Sequence, residues 1–405
     1  MKRLVMLFAG IIIAFLVIRC TKEGSETDTT DKTDDGTGLY EGLSTGGSGG
    51  VPSGGGTGDS TQQEEVDPGQ ITAAEWNDLT EWDFWINLGQ NEAFNSAQDN
   101  WKFYPLKRFS FLVKDSRFNP LVDCKVILKN LQGDVLWQTR TDNQGKAELW
   151  LDLNGGNSGT PAAVVSYADQ EVVVTDPVTF EEDINTVTMA SEGAQELKAD
   201  ILFVVDATGS MGDEIEYLKS ELRNVIERVE NLNSQLDLRL GSVFYRDEGD
   251  EFLTRVSPFS SNLLQTLSFI GNQHADGGGD YEEAVHTALN TAITQLSWSE
   301  NARTRLLFLL LDAPPHHTDP IVNDLNTLIR NAALKGIKII PISASGVNKD
   351  TEFLFRFFAA ATNGTYVFIT NDSGIGGEHL EATVGDYEVE LLNDLIVRLI
   401  SQYAQ

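Results

Sequence analysis

The pattern of hydrophobic and polar positions changes along the chain. Between residues 102 and 192, apolar side chains recur at every second position, as Phe109, Phe111 and Val113 do, and turn residues separate the runs. Alternation with this period is typical of strands that turn one face to a core and the other to solvent. We therefore predict a small antiparallel β-sandwich over residues 102–192.

The residues from 196 to 405 follow a different pattern. Runs of continuous apolar residues alternate with segments in which apolar residues have helical spacing, such as Ile215, Leu218 and Leu222. Strands buried on both faces of a parallel sheet need such runs, and each helix needs one apolar stripe to cover the sheet. We predict a doubly wound, Rossmann-like α/β domain whose binding site lies at the carboxyl ends of the strands. The predicted strands cover residues 201–205, 306–311, 337–342 and 365–369.

The segment of residues 71–101 is rich in tryptophan. Thr72 and Glu75 have the spacing of a helix capping box, so a helical segment is predicted to begin near Thr72. Its tryptophans could form a carbohydrate-stacking surface, but indoles are also the largest core-filling side chains, and packing against the next domain is favoured. These residues are Trp76, Trp82, Trp85 and Trp101.

The first seventy residues lack the pattern of a folded core. Residues 1–19 begin with two basic residues and a short apolar run, which is typical of an export signal and too short for a membrane span. The end of this run resembles a bacterial lipoprotein box, which implies a lipid on Cys20, although Arg19 stands where that family has a small residue. Residues 20–70 are rich in glycine, serine, threonine and acidic residues, and they are predicted to form a disordered tether ahead of two independent domains.

Net charge and cysteine content limit the partners that this protein can bind. The 405 residues include 61 acidic and 29 basic ones, a net charge of −32. A field of this sign repels nucleic acid and anionic lipid, so we exclude nucleic acid as a partner and expect membrane contact only through the N-terminal lipid. The predicted location is the outer membrane, and the sequence leaves open whether the protein faces the periplasm or the cell surface.

If Cys20 is lipidated, Cys124 has no cysteine to pair with, and its strand-like context favours a small buried side chain over a reactive thiol.

Three loops near the predicted strand ends carry oxygen-bearing side chains. Asp206, Thr208 and Ser210 follow the first strand of the α/β domain, Asp280 ends a glycine-rich loop, and Asp312 follows a later strand. Because such loops converge on one crevice in a doubly wound sheet, we expect these five side chains to meet. Hard oxygen ligands of this kind suit Mg²⁺, Mn²⁺ or Ca²⁺. The first loop by itself is explained equally well by a helix N-cap.

The α/β domain resembles a von Willebrand factor type A (VWA) domain, and its first loop resembles the metal-ion-dependent adhesion site (MIDAS) of that family. The resemblance implies that Asp206, Thr208 and Ser210 supply the first metal-binding loop and Asp312 the third. Asp280 stands where the family usually has threonine, as in the hemicentin-like branch. A direct carboxylate at that position should bind metal more tightly and weaken the demand for an acidic ligand, whereas the alternative is that Asp280 holds water or the loop backbone.

The stretch of residues 139–147 in the predicted sandwich resembles carboxypeptidase regulatory-like and Cna-B-like modules. That resemblance implies a spacer or an adhesion stalk without chemistry of its own.

Two other groups near the predicted crevice are given simpler interpretations. The charged residues 246–251 could form an acidic rim beside the metal, but a solvated turn is favoured. His316 and His317 suggest a softer metal, yet no partner histidine has ligand spacing, so loop packing or solvent exposure is favoured.

These features predict a binding protein and not an enzyme. The sequence contains no nucleophile elbow, zincin helix motif or phosphate-binding loop. We expect an envelope-anchored, divalent-metal-dependent binding or adhesion module that captures a protein or glycan at a MIDAS-type site. The alternative is a structural scaffold of an envelope assembly whose metal site is vestigial or purely structural.

Overall fold

The computed structural model describes residues 67–405 except residues 157, 195, 233–235 and 376. The predicted signal peptide, the lipidation site Cys20 and the tether up to residue 66 lie outside the described residues. Among the described residues, no helix has both the length and the apolar character that a membrane crossing requires.

The first part of the described chain supplies one strand, two helices and then the strands of the sandwich. In chain order the elements are β1 (Thr72–Trp76), α1 (Trp82–Asn87), α2 (Glu92–Trp101), β2 (Lys107–Lys114), β3 (Lys125–Lys129), β4 (Val135–Arg140), β5 (Lys146–Leu151), β6 (Ala162–Tyr167), β7 (Gln170–Val174) and β8 (Asn185–Thr188). Strands β5, β2 and β8 form one sheet in that order, and β4, β3, β6 and β7 form the other. The pairs are antiparallel except for β2 with β8, which is parallel. The predicted sandwich is therefore confirmed, with one parallel pair.

The second part alternates strands and helices as its hydrophobic pattern predicts. Its elements are β9 (Lys198–Asp206), α3 (Ile215–Leu232), β10 (Asp237–Tyr245), β11 (Thr254–Ser260), α4 (Leu263–Gly271), α5 (Val285–Asn290), β12 (Thr304–Leu311), α6 (Asp319–Lys335), β13 (Ile337–Ser343), α7 (Lys349–Ala361), β14 (Tyr366–Ile369), β15 (Val389–Leu391) and α8 (Leu392–Ala404). The central sheet has the order β11-β10-β9-β12-β13-β14-β1-β15. Its middle strands, from β10 to β14, run parallel, and antiparallel strands border them on both sides. The predicted α/β fold is confirmed.

Two apolar cores lie on the two faces of this sheet. One face packs against α3, α4 and α8, and the other against α5, α6 and α7. The core on the second face continues without a break into the sandwich and the tryptophan-rich segment. The order of layers follows from this continuity: helices, sheet, helices and then the sandwich.

The prediction of a helix that begins at Thr72 is wrong, because this residue begins strand β1. The strand lies between β14 and β15, with Ala73 opposite Ile369 and Thr72 opposite Leu391. Its Glu75 forms an ion pair with Arg398 at 2.8 Å instead of reaching back to a helix N-terminus. Two strand neighbours far away in sequence thus override a local capping pattern.

The predicted tether also ends earlier than residue 70. The backbone N–H groups of Gly69, Gln70 and Ile71 donate to the carboxylate of Glu221 on α3, at 2.8–3.3 Å. Glu221 is 1% exposed. These contacts attach the chain to the α/β domain before β1 begins.

The four tryptophans of residues 71–101 fill cores, which confirms the packing interpretation. All four are buried. The Trp85 ring packs edge-on against Phe357 of α7 with centroids 5.9 Å apart, and Trp101 donates its indole N–H to Asp350 at 2.7 Å. The segment joins the two domains and presents no stacking surface of tryptophan.

The two predicted domains are not independent of each other. Arg305 of β12 donates two hydrogen bonds to Asp123 of the sandwich, at 2.9 and 3.0 Å, and both side chains are buried. Arg356 of α7 likewise donates to Asp78 at 2.6 and 3.0 Å. Removing either partner would leave an unpaired buried charge, so these pairs hold the modules in one arrangement.

The free cysteine of the sandwich has the predicted character. Cys124 is buried, and burial raises the pKa of its thiol to about 12. The interpretation as a small buried side chain is confirmed.

Candidate functional site

A crevice lies at the carboxyl ends of the parallel strands β9, β10 and β12. The chain leaves β9 at Asp206, β10 at Tyr245 and β12 at Leu311, and β10 and β12 both pair with β9. Tyr245 lies directly opposite Asp206 in the sheet. The position of the crevice agrees with the general rule for doubly wound sheets.

The first loop is held in shape by its own hydroxyl groups. The Thr208 N–H and hydroxyl both donate to Asp206 Oδ1, at 2.9 and 2.7 Å, and the hydroxyls of Thr208 and Ser210 lie 3.1 Å apart. Asp206 and Thr208 are fully buried, whereas Ser210 is exposed. The structure thus brings these three predicted residues together, with Asp206 Oδ2 left unbonded among the described residues.

Asp312 joins this group from the third loop. It is 4% exposed, and its Oδ1 has no hydrogen-bond partner in the described part of the chain. Burial, followed by the charge of Asp206, raises the pKa of Asp312 to about 7, while the Ser210 hydroxyl acts in the opposite direction. Burial likewise raises the pKa of Asp206 to about 6.

The third buried carboxylate of the crevice is Glu283, which the sequence reasoning missed. Glu283 is 2% exposed, and its Oε2 has no partner among the residues described. Burial and the charges of Asp206, Asp247 and Asp312 raise its pKa to about 9. The Glu283 N–H donates to Pro314 O at 2.9 Å, which ties this residue to the Asp312 loop. The available signal in the sequence was its position just before the N-cap residue Ala284 of α5, whose apolar face is buried.

These buried carboxylates are suited to hold a cation. Asp206, Glu283 and Asp312 each have one buried carboxylate oxygen without a partner among the described residues, and the charge of Asp206 raises the pKa of the other two. Like charges so close together repel and become protonated unless a cation lies among them. Carboxylate and hydroxyl oxygens form the donor set of Mg²⁺, Mn²⁺ and Ca²⁺ sites, so the residues present fit such an ion.

The sequence predicts that Asp280 lies with Asp206 and Asp312, but in the structure it lies with Asp247 and His316. It is exposed, and one of its carboxylate oxygens lies within 4.8 Å of ligand atoms of Asp247 and His316. The residue of its loop that interacts with Asp206 and Asp312 is Glu283, three positions later. This placement favours the alternative in which Asp280 does not bind the central ion.

The turn after β10 is not merely solvated, which corrects the interpretation of residues 246–251. Arg246 is 1% exposed and donates to Ala207 O at 3.0 Å and to His274 O at 2.9 Å. Asp247 is also buried, and its Oδ1 lies 2.7 Å from His316 Nε2. The turn therefore connects the loops of the crevice.

The glycine-rich loop lies so close to this turn that a side chain at Gly277 would collide with Asp250. Gly277 and Gly278 have φ angles of +79° and +75°, which favour glycine. A Cβ on Gly277 would lie 2.4 Å from Asp250 Oδ1, while the Gly278 N–H donates to Asp250 Oδ2 at 2.9 Å. The glycines thus allow the loop to pack against the crevice.

A further buried acid links the crevice to the C-terminal segment. Glu214 accepts a hydrogen bond from the Ser345 N–H at 3.0 Å, and its carboxylate lies 3.4 Å from His379 Nε2. Its charge contributes to the raised pKa of Asp312. The loops after β13 and β14 are therefore in electrostatic contact with the site.

Comparison with known proteins identifies the family of the α/β domain. Residues 200–378 match the von Willebrand factor type A domain family. A protein of Acanthamoeba polyphaga mimivirus, named as an ariadne-like RING finger protein, is 32% identical over 134 residues. Alpha-protein kinase vwkA of Dictyostelium discoideum is 34% identical over 122 residues. These alignments cover 32% and 30% of this chain but only 13% and 19% of the two relatives, so the chain spans less than a fifth of either.

Solved structures from two Bacteroides species also align with about half of the chain. The conserved hypothetical protein BatB from Bacteroides thetaiotaomicron is 15% identical, with a TM-score of 0.35, and the alignment covers 51% of this chain and 98% of BatB. An aerotolerance-related membrane protein from Bacteroides fragilis is 12% identical, with a TM-score of 0.32 and the same coverage. The sheet order, the crevice at the strand ends and the family match agree with one another. The α/β domain of this chain is therefore a von Willebrand factor type A domain.

Proposed function

We propose that this chain is an envelope-anchored module that binds a macromolecular partner through a divalent cation. Asp206, Glu283 and Asp312 would hold the ion, with the hydroxyls of Thr208 and Ser210 beside it. The observation that carries the proposal is the set of three buried carboxylates, each with an unpartnered oxygen. Buried carboxylates that repel one another are stabilised by a cation, so these three side chains support the proposal.

The residues around the ion would have distinct tasks. Thr208 fixes one oxygen of Asp206 by two hydrogen bonds and leaves the other free for the ion. Ser210 is exposed and is the ligand residue that a partner can approach. Mg²⁺ is the ion we propose first, with Mn²⁺ and Ca²⁺ as substitutes, because the donor set is entirely oxygen.

The charge of the site bears on the kind of partner. Three carboxylates outweigh the charge of one dication, so the ion would attract a carboxylate of the partner only weakly. Exposed Glu248 adds negative charge beside Asp247, whereas Glu251 and Asp276 form ion pairs with Arg246 at 3.9 and 3.7 Å. We therefore propose a protein or glycan partner that offers a neutral oxygen or a basic group.

The proposed location rests on the N-terminal sequence. The apolar run before Cys20 and the lipoprotein-box resemblance support export and lipid anchoring to the outer membrane. Neither catalytic motifs nor a candidate nucleophile supports an enzymatic role, so binding is proposed in preference to catalysis.

Capture from envelope and host extracts tests this function. Wild-type protein should retain a partner with Mg²⁺ and lose it with chelator, and Asp206→Asn should fail in both conditions. Asp324→Asn on α6 is the matched control, because Asp324 is exposed and belongs to no loop of the crevice. Equal capture with chelator and by Asp206→Asn would instead favour a structural scaffold with a vestigial metal site.

A further inference from the structure

A second group of metal-ligating side chains lies beside the crevice. The His316 cluster consists of Asp247, Asp280 and His316, each of which places one ligand atom within 4.8 Å of the others. The three residues come from three separate loops: the turn after β10, the glycine-rich loop and the loop after β12. Two carboxylates and one imidazole thus converge on a point at the surface.

The imidazole of His316 lies between two carboxylates. His316 Nε2 lies 2.7 Å from Asp247 Oδ1, while Nδ1 on the other side of the ring lies 3.5 Å from Glu282 Oε2. A histidine that binds a metal usually donates its remaining N–H to a carboxylate, which orients the ring. Glu282 lies on the Nδ1 side of the ring, and an ion at Nε2 would take the place of the hydrogen bond between Nε2 and Asp247.

The loops that carry these ligands are connected before any ion binds. Asp250 Oδ2 accepts the N–H groups of Asp247 and Gly278, at 3.1 and 2.9 Å. The cluster therefore needs little reorganisation of backbone, and exposed Asp280 can adjust its side chain to complete it.

We propose that Asp247, Asp280 and His316 bind a second dication, a borderline transition metal such as Zn²⁺. A mixed set of one imidazole and two carboxylates suits Zn²⁺ better than Mg²⁺, which prefers oxygen ligands alone. Because Asp280 is exposed, the remaining coordination positions open to solvent. The site is distinct from the all-oxygen site of the proposed function and does not depend on it.

A metal titration of the full chain, purified without a polyhistidine tag, tests the second site. Mg²⁺ is kept saturating to occupy the all-oxygen site, and Zn²⁺ is titrated by calorimetry, with Co²⁺ as a visible-absorption probe. Wild-type protein should bind one equivalent and give a Co²⁺ spectrum of low-symmetry, nitrogen-containing coordination. His316→Gln should weaken binding at least about tenfold and remove that spectrum.

Matched variants distinguish the second site from loop damage and from the first site. His317→Gln is the control, because His317 is the neighbouring residue and contacts Asn100 O at 3.1 Å instead of the cluster. It should bind Zn²⁺ as wild type does. Asp280→Asn changes an exposed ligand and should also weaken binding, whereas Asp206→Asn should lose the Mg²⁺ response and keep the Co²⁺ spectrum.

Two results would overturn the proposal. One is the absence of Zn²⁺ and Co²⁺ binding by the Mg²⁺-saturated wild type, which would leave His316 as an ion-pair partner of Asp247 and Glu282. The other is binding that His316→Gln and Asp280→Asn leave unchanged. Neither result affects the proposed function, whose own test is Mg²⁺-dependent capture of a partner and its loss in Asp206→Asn.

Discussion

Asp206, Glu283 and Asp312 carry raised pKa values of about 6, 9 and 7, with burial as the largest cause of each. Without a cation, each group in the folded protein retains a proton at pH values where the unfolded chain has lost it. The folded state then binds more protons, so its free energy of unfolding decreases as the pH rises between about 4 and 9. A bound cation would favour the charged forms and cancel this decrease.

The pH dependence of the metal-free protein follows from these shifts. In chelator, the melting temperature should fall between pH 5 and pH 8, and saturating Mg²⁺ should make the fall smaller. Glu283→Gln removes the group with the largest pKa increase, so its metal-free melting temperature should change less over this interval than that of wild type. Thermal denaturation of both proteins measures the difference, and a steeper fall in the variant would contradict the assignment.

A pair of substitutions separates the two acids of the glycine-rich loop. Glu283→Gln keeps the size of the side chain but cannot become a carboxylate, so Mg²⁺ affinity should fall about tenfold or more, while metal-free stability rises because folding no longer requires Glu283 to take up a proton. Asp280→Asn should change Mg²⁺ affinity by less than about threefold, because Asp280 is exposed and lies in the His316 cluster. Calorimetric titration with Mg²⁺ gives both affinities. The reverse order would restore Asp280 as the direct ligand.

At the scale of elements, the sheet of the α/β domain contains strand β1, which comes from a part of the chain far from the other strands in sequence. The strand separates β14 from β15, and the N–H groups just before it bond to Glu221 of α3. The last strand and helix α8 are thereby connected to the rest of the sheet through an N-terminal segment.

Glu221 provides the test of that connection. Glu221→Ala leaves the N–H groups of Gly69, Gln70 and Ile71 without their acceptor and should lower the free energy of unfolding by about 1–3 kcal/mol. Glu227→Ala on the same helix is the matched control; Glu227 is exposed, so its substitution should cost less than about 0.5 kcal/mol. Urea denaturation measures both, and equal effects would show that the contacts before β1 add no stability.

At the scale of the whole molecule, the sandwich and the VWA domain share one core. The buried pair of Arg305 with Asp123 crosses between these two parts, and Arg356 with Asp78 ties α7 to the tryptophan-rich segment. A protein of residues 63–405 should therefore unfold in one calorimetric transition, and a fragment of residues 196–405, which lacks β1 and the partners of α7, should be insoluble or unfolded. Two well-separated transitions, or a stable fragment, would restore the prediction of independent domains.

Anchoring is also a property of the whole molecule. Cys20→Ala should move the protein from the detergent phase to the aqueous phase in phase-separation assays, because the proposed lipid is its membrane attachment. Cys124→Ala is the control, since Cys124 is buried in the sandwich and distant in sequence from the export signal. Unchanged partition of Cys20→Ala would indicate an uncleaved signal anchor or peripheral binding.

Local sequence patterns were sufficient to predict the fold class and most of the crevice. Continuous apolar runs can form only buried strands or buried helix segments, and their alternation with amphipathic segments indicates a doubly wound sheet. Asp206, Thr208, Ser210 and Asp312 follow such runs directly, so their position at the strand ends follows from the predicted strands. The alternating runs of residues 102–192 predicted the sandwich for the same reason.

The tertiary structure alone decided which elements and side chains meet across long separations. Thr72 contacts Thr370, 298 positions away, and this pairing converts a capping-box pattern into a strand. Glu283 joins the other buried carboxylates instead of Asp280 because its backbone bonds to Pro314 and its carboxylate packs close to Gly278. Arg246 and Asp247 are buried because three loops close over them. Local periodicity describes the face that each element presents, whereas such placements depend on the free energy of contacts between residues far apart in the chain.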